Sequence, residues 1–409
     1  MSDQTVLFAR QPIYDAQLNV VAYELLFRSE NGPHAENLMR GDQATSQVII
    51  NVLSGPSLDI LLDGKPAFVN FTGNLLKTPP PVSSEHLVVE VLEDIVVDGE
   101  TVRALLALKR KGYSIALDDY RDLPTMRPFL RLADIVKLDI LDLGLAETER
   151  VLQALKPYQV RIIAEKVETY AQFEACKAMG CDWFQGYFLA RPQLIHGRRV
   201  SPGQQGVLRL LALMQNPDVK FDELESVIVS DPALSFKLLS LVNSALFNLA
   251  NEVDSIQRAI TMLGLERIRS WGSLLALTTL AEKPRALSAC ALLRARLCQR
   301  LGEQANSTTL AKQSLFTIGL LSTLDAYLDM PLTQIFETIA ASPAVRDSVL
   351  ERSGDAGLLL SIAQHMADGN IKDIDITALA TLGIGAAQLE QLYIDSVEWT
   401  EQTLDQIFV

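Results

Sequence analysis

Histidine and cysteine are both scarce, with four of each in 409 residues. Of His34, His86, His196 and His365, only the last lies well inside the second half, so a His-rich dinuclear metal centre is excluded by inventory. Cys176, Cys181, Cys290 and Cys298 form no paired CxxC motifs and fall in helical or strand patterns, which predicts buried free thiols over disulfides or a zinc site. Although 48% of the residues are apolar, no uninterrupted apolar run reaches the roughly 18 to 20 residues that a membrane-spanning helix needs. The opening MSDQTVLFARQPIYD has no basic patch followed by an apolar segment, so no secretory signal is read and a cytoplasmic location away from membranes is expected. Excess positive charge is missing too. A formal net charge of −14 opposes general attraction to nucleic acid, and no DNA partner is expected. Arg198 with Arg199, and the group Arg294, Arg296 and Arg300, read as solvated or salt-bridged surface. Repeats of fixed period and low-complexity tracts are absent.

The first half carries short apolar runs with a polar residue placed late in each: VVAYELLF, AFVNF, LVVEVLE, YSIALDDY, DIVKLDI, RIIAEKVE and WFQGYFLA. Such runs read as buried parallel strands, which deliver a side chain to the carboxyl edge of a sheet. The residues delivered are Glu24, Asn70, Glu90, Asp118, Asp119, Lys137, Glu165 and Gln185. Between the runs lie segments long enough for one crossover helix each, which predicts a closed (β/α)8 barrel with its site at the strand C-termini. An oxygen-rich cluster there suits Mg²⁺ or Mn²⁺ and not zinc. The strand-like runs stop near Ala190, and RPQLIHGRRVSPGQQG reads as a boundary. From Val207 onward the apolar spacing is helical, with Asp231–Pro232 as a helix start and Ser255 preceding a run that stops at Gly264. The expected architecture is α/β plus all-α: a barrel over 1–195, a linker over 196–206 and a helical domain over 207–409.

The order and context of these polar residues resemble the EAL family of cyclic di-GMP phosphodiesterases. ELL at Glu24 stands for the family's triplet, and Arg28 follows where the family has an arginine that contacts substrate phosphate. FVNF, EVLE, ALDDY, KLD, AEKVE and QGY supply the rest, over about residues 1 to 195. The resemblance implies a TIM-like barrel of EAL type and hydrolysis of cyclic di-GMP to the linear dinucleotide, with two divalent ions. It implies Glu24, Asn70, Glu90, Asp118 and Asp119 as metal ligands. Glu165 is then the general base, Lys137 orients the water or offsets developing negative charge, and Gln185 positions water or substrate. Glu93, Asp139 and Glu168 take outer, supporting roles.

This chain departs from the family pattern in three places. DDYRDL replaces DDFGTG, so Arg121 and Leu123 stand where the family has glycine. Leu25 replaces the alanine of the triplet, and Lys166 replaces the glycine after Glu165, adding bulk and charge beside the base. The alternative function is therefore a catalytically silent receptor for cyclic di-GMP or an interaction scaffold. The helical half resembles the HDOD domain, an HD-related fold without the His-Asp metal pair, on SDPALSFKLLSLVNSALF, SIQRAITMLGLERIR and GLLSTLD. Ser322 and Thr323 occupy the place of that dyad. The resemblance implies a regulatory module that binds protein partners, and a homodimer is left open. Trp271 is expected in the core, His365 as a packed or capping residue, and Asn243 with Ser244 as a buried hinge or a helix-end hydrogen-bonding pair.

Overall fold

The computed structural model describes residues 6–29, 61–77, 83–191, 202–216, 218–244, 246–247, 249, 253–280, 283–305, 312–339 and 341–408. The chain divides into two compact units, 1–189 with 368–372, and 190–367 with 373–409.

The first unit is a closed eight-stranded barrel in sequential order. Its strands are β1 (Val6–Asp15), β2 (Val20–Ser29), β3 (Ala67–Phe71), β4 (Leu87–Val91), β5 (Ser114–Leu117), β6 (Ile135–Asp139), β7 (Arg161–Glu165) and β8 (Trp183–Phe184). From β2 to β8 every pairing is parallel, whereas β1 runs antiparallel to both β2 and β8. A hairpin explains the reversal. Asp15 accepts from the backbone N–H of Gln17 at 2.8 Å and of Asn19 at 2.9 Å, with Leu18 in the left-handed region at φ 65°. The VLFARQPIYD segment is thus the strand that the sequence reading had not assigned.

Side chains alternate along a strand, so one interior layer fixes the next. Ile13, Ala22, Phe68, Val88, Ala116, Ile135 and Ile163 form a buried layer inside the barrel, with Trp183 packed against it. Two residues further along the parallel strands come Glu24, Asn70, Glu90, Asp118, Lys137, Glu165 and Gln185. On the antiparallel β1 the corresponding step is backwards, from Ile13 to Gln11, and Gln11 is paired with Glu24. The polar layer therefore lies directly on an apolar floor. Burying such a floor contributes roughly 1.5–3 kcal/mol per large side chain.

The second unit is helical throughout its described residues. Asp231 caps Pro232–Val242, accepting from Ala233 and Leu234 N–H at 3.0 Å each, and Ser255 caps Ile256–Leu263, which ends at Gly264 with φ 83°. The long helix Arg285–Gln304 packs against Lys312–Leu321, Gly354–Ala367 and Ala386–Ile407. Gly319 permits one of these crossings, since a Cβ there would sit 2.5 Å from the Ala295 Cα. Trp271 is buried against Phe247, Phe316 and Trp399. The four cysteines are free thiols, three of them buried. Asn243 is an exposed helix end that clamps the Val253 backbone, donating to its carbonyl at 2.8 Å and accepting from its N–H at 2.7 Å.

Candidate active site

Lys137 is the hub of the polar layer, and it is 1% exposed. Its Nζ lies 2.5 Å from Glu90, 2.6 Å from Glu165 and 3.1 Å from both Glu24 and Asp118. Burial alone would lower the pKa of this ammonium, but Glu165, Glu24, Glu90 and Asp118 together hold it well above the usual lysine value. The carboxylates are raised as well, but by burial itself. Burial, reinforced by Glu24, pushes Glu90 well up, and burial raises Glu165 to about 8 although Lys137 opposes the shift. Asp119 is raised by burial and by its neighbour Asp118.

Amides complete the ring. Gln185 Nε2 donates at 2.7 Å to both Glu24 and Gln11, and Asn70 Nδ2 donates to Glu24 at 3.3 Å. Three buried oxygens, Asn70 Oδ1, Glu90 Oε2 and Gln185 Oε1, have no hydrogen-bond donor among the described residues. Such atoms cost about 1–3 kcal/mol each when unsatisfied. Asp118, Asp119 and Glu165 also offer oxygens within 4.8 Å of one another. Oxygen-only donors with spare lone pairs fit a hard divalent cation.

Of the residues expected from the sequence, Glu24, Asn70, Glu90, Asp118, Lys137, Glu165 and Gln185 are brought together, with Asp119 beside Asp118. Glu93 is exposed and lines a cleft of about 210 Å³ with Asp119 and Asp139. Asp139 caps the helix Ile140–Leu155, accepting from Leu141 and Asp142 N–H. Glu168 is half-buried at the turn into Tyr170–Met179. Arg28 lies on β2 opposite Leu7, and its side chain is outside the described residues.

The altered loop is unstrained at both positions where glycine is replaced. Leu123 has φ −102°, Arg121 is not among the residues of positive φ, and the left-handed conformation falls on Asp119 at φ 40°. Arg121 turns to Asp142, 2.5 Å away. The cation beside Asp119 and Asp139 is Lys166. Gln11 and this ion pair are the features that sequence reasoning missed.

Gly186 sets the turn that follows Gln185. Its φ is 147°, and a Cβ would fall 2.1 Å from the Val167 carbonyl oxygen. Gly186→Ala must therefore displace the Val167 backbone, whose N–H donates to Gln185 at 3.0 Å. The expected loss is more than about 2 kcal/mol in urea unfolding.

A barrel with carboxylates, amides and a buried lysine at its strand ends defines an EAL-type domain, and residues 2–192 match the EAL domain family. Residues 203–342 match the HDOD domain family. The chain belongs to the EAL family, in an EAL–HDOD arrangement. Cyclic di-GMP phosphodiesterase CdgJ of Vibrio cholerae serotype O1 is 30% identical over 402 residues, covering 97% of this chain and 93% of that protein. Uncharacterized protein YuxH of Bacillus subtilis is 29% identical over 411 residues, covering 98% and 99%. Among solved structures, the PaMucR phosphodiesterase in complex with c-di-GMP aligns with a TM-score of 0.41 at 21% identity, over 46% of this chain and 96% of that one. A manganese and cyclic di-GMP complex of Klebsiella pneumoniae BlrP1 aligns at 0.38 and 21%, over 46% and 56%.

Proposed function

We propose that the barrel hydrolyses cyclic di-GMP to the linear dinucleotide in a reaction that depends on Mg²⁺ or Mn²⁺. The observation that carries this reading is the ring of four carboxylates around Lys137 with three orphaned buried oxygens beside it. Full-length similarity to a protein named as a cyclic di-GMP phosphodiesterase supports the substrate. Glu24, Asn70, Glu90, Asp118 and Asp119 would hold the cations, which supply an acidified water and charge neutralisation at the phosphoryl oxygens.

The chain's own residues do the rest. Glu165, raised by burial to about 8, accepts a proton from the attacking water. Lys137 is a fixed ammonium that needs no reorganisation when negative charge develops. Gln185, pinned by Gln11 and Glu24, orients water or substrate, and Arg28 contacts substrate phosphate. Glu93, Asp139 and Glu168 support the rim. The domain limits are taken as 1–195 and 207–409, with a linker at 196–206 of which 196–201 lie outside the described residues. The helical domain is read as a partner-binding or regulatory module of a cytoplasmic protein. Its Ser322 and Thr323 hydroxyls donate back to Gly319 and Leu320 carbonyls at 2.7 Å, so neither offers a metal-binding dyad.

A second reading, a receptor without turnover, is favoured by the Lys166 ammonium beside Asp119 and Asp139. The test is titration of cyclic di-GMP into full-length protein with Mg²⁺, Mn²⁺ or Ca²⁺, then chromatography of the same sample. Linear dinucleotide with Mg²⁺ or Mn²⁺, abolished by EDTA, is expected. Binding without product makes the protein a receptor, and no binding under any cation leaves the barrel as a scaffold.

A further inference from the structure

The outer carboxylates of the site already hold a cation that belongs to the chain. Lys166 follows Glu165 at the end of β7 in the left-handed region, with φ 54°. Its Nζ contacts Asp139 Oδ2 and lies 3.6 Å from Asp119 Oδ1. Asp139 cannot turn away freely. Its Oδ1 is occupied by Leu141 N–H at 2.8 Å and Asp142 N–H at 3.0 Å, which leaves Oδ2 for the lysine.

The inner carboxylates are served differently. Glu24, Glu90, Asp118 and Glu165 converge on Lys137, which is buried and enclosed on all sides. Lys166 is half exposed, with 51% of its side chain accessible, beside an Asp119 that is 33% accessible. An ammonium on a long stem at the rim can be displaced into water; one at the floor cannot.

We propose that Lys166 is a tethered monovalent competitor for the outer cation position, so that the chain takes one divalent ion tightly and a second, at Asp119, only by displacing this lysine. The proposal rests on the reading of the carboxylate ring as a divalent-metal site. It makes metal occupancy graded: at low free Mn²⁺ the barrel is singly loaded, and only at higher concentration does the second ion enter. Lys166 acts through Asp119 and Asp139 and is a positioning residue, not a catalytic one.

The experiment counts Mn²⁺ on full-length protein by the electron paramagnetic resonance signal of free Mn²⁺, for wild type, Lys166→Gln and Lys166→Arg. Two classes of site are expected in wild type. Removing a unit charge a few Å from a dication should tighten the weaker class by about tenfold or more in Lys166→Gln. The tighter class should stay unchanged, and Lys166→Arg should keep the wild-type isotherm. Superimposable isotherms for wild type and Lys166→Gln, with Mn²⁺ bound, overturn the role of Lys166 and leave the metal site standing. Absence of Mn²⁺ binding to both overturns the proposal together with the metal reading beneath it. Circular dichroism melting of each variant confirms that the folded protein is being counted.

Discussion

Glu165→Gln should lower cyclic di-GMP turnover by about 10²- to 10⁴-fold, the range that a general base contributes. The amide has the shape of the carboxylate and cannot take a proton, so binding of cyclic di-GMP in Ca²⁺ should stay within a few-fold of wild type. Glu165 is buried and its carboxyl is raised to about 8. A dication nearby favours the carboxylate and pulls that value down. The wild-type kcat/KM should therefore climb with pH along a limb centred at or below about 8, and the residual rate of the variant should lack that limb. A variant rate near wild type, or one keeping the same limb, assigns the proton to another group.

Lys137→Met should act on stability as much as on rate. Four carboxylates meet at this ammonium within 3.1 Å, and removing one member of a buried ionic cluster costs about 3–5 kcal/mol. The loss should be read in urea with EDTA present, and Mn²⁺ should restore part of it because a dication can serve the same oxygens. It should also depend on pH. Glu90 and Glu165 have pKa values raised in the folded state, so the fold favours their protonated forms, and that contribution fades as pH rises through the raised values. The variant should therefore be less stable at pH 8 than at pH 6 by more than wild type is. Equal stability of variant and wild type in EDTA at pH 8 would mean that the ring does not depend on its lysine.

The barrel was legible because short apolar runs with a late polar residue are local signals. Each of β2 to β7 announces its inward face through its own composition, and the polar member sits two residues past an apolar one, as with Ala22 and Glu24 or Ile163 and Glu165. β1 escaped that rule because it runs the other way. In VLFARQPIYD the polar inward residue, Gln11, comes before the apolar Ile13, so a search for late polar residues passes over it. The same parity argument applied in reverse would have found it. The Lys166 ion pair was not legible, because it joins the end of β7 to Asp139 and Asp119 on two other βα units. Sequence showed an added charge there but not its partner. The loop DDYRDL was legible as a departure in composition, but its backbone was not. Arg121 and Leu123 stand where the family has glycine, yet neither position has a positive φ, and the unusual backbone belongs to Asp119, which the family pattern shares.

The antiparallel first strand also has a consequence for how the chain acquires its site. Tyr14 pairs with Phe184 and Asp15 with Trp183, and Gln11 meets Gln185 across a separation of 174 positions. Every other seam of the ring joins sequential strands, so closure depends on the most distant pairing in the unit, and such pairings carry the largest loop-closure penalty. During synthesis β1 and β2 can pair early as a hairpin, but the last amide of the polar ring arrives only when β8 has left the ribosome. Until then Glu24 lacks its Gln185 donor. The polar ring is thus complete only once its first and last strands have met.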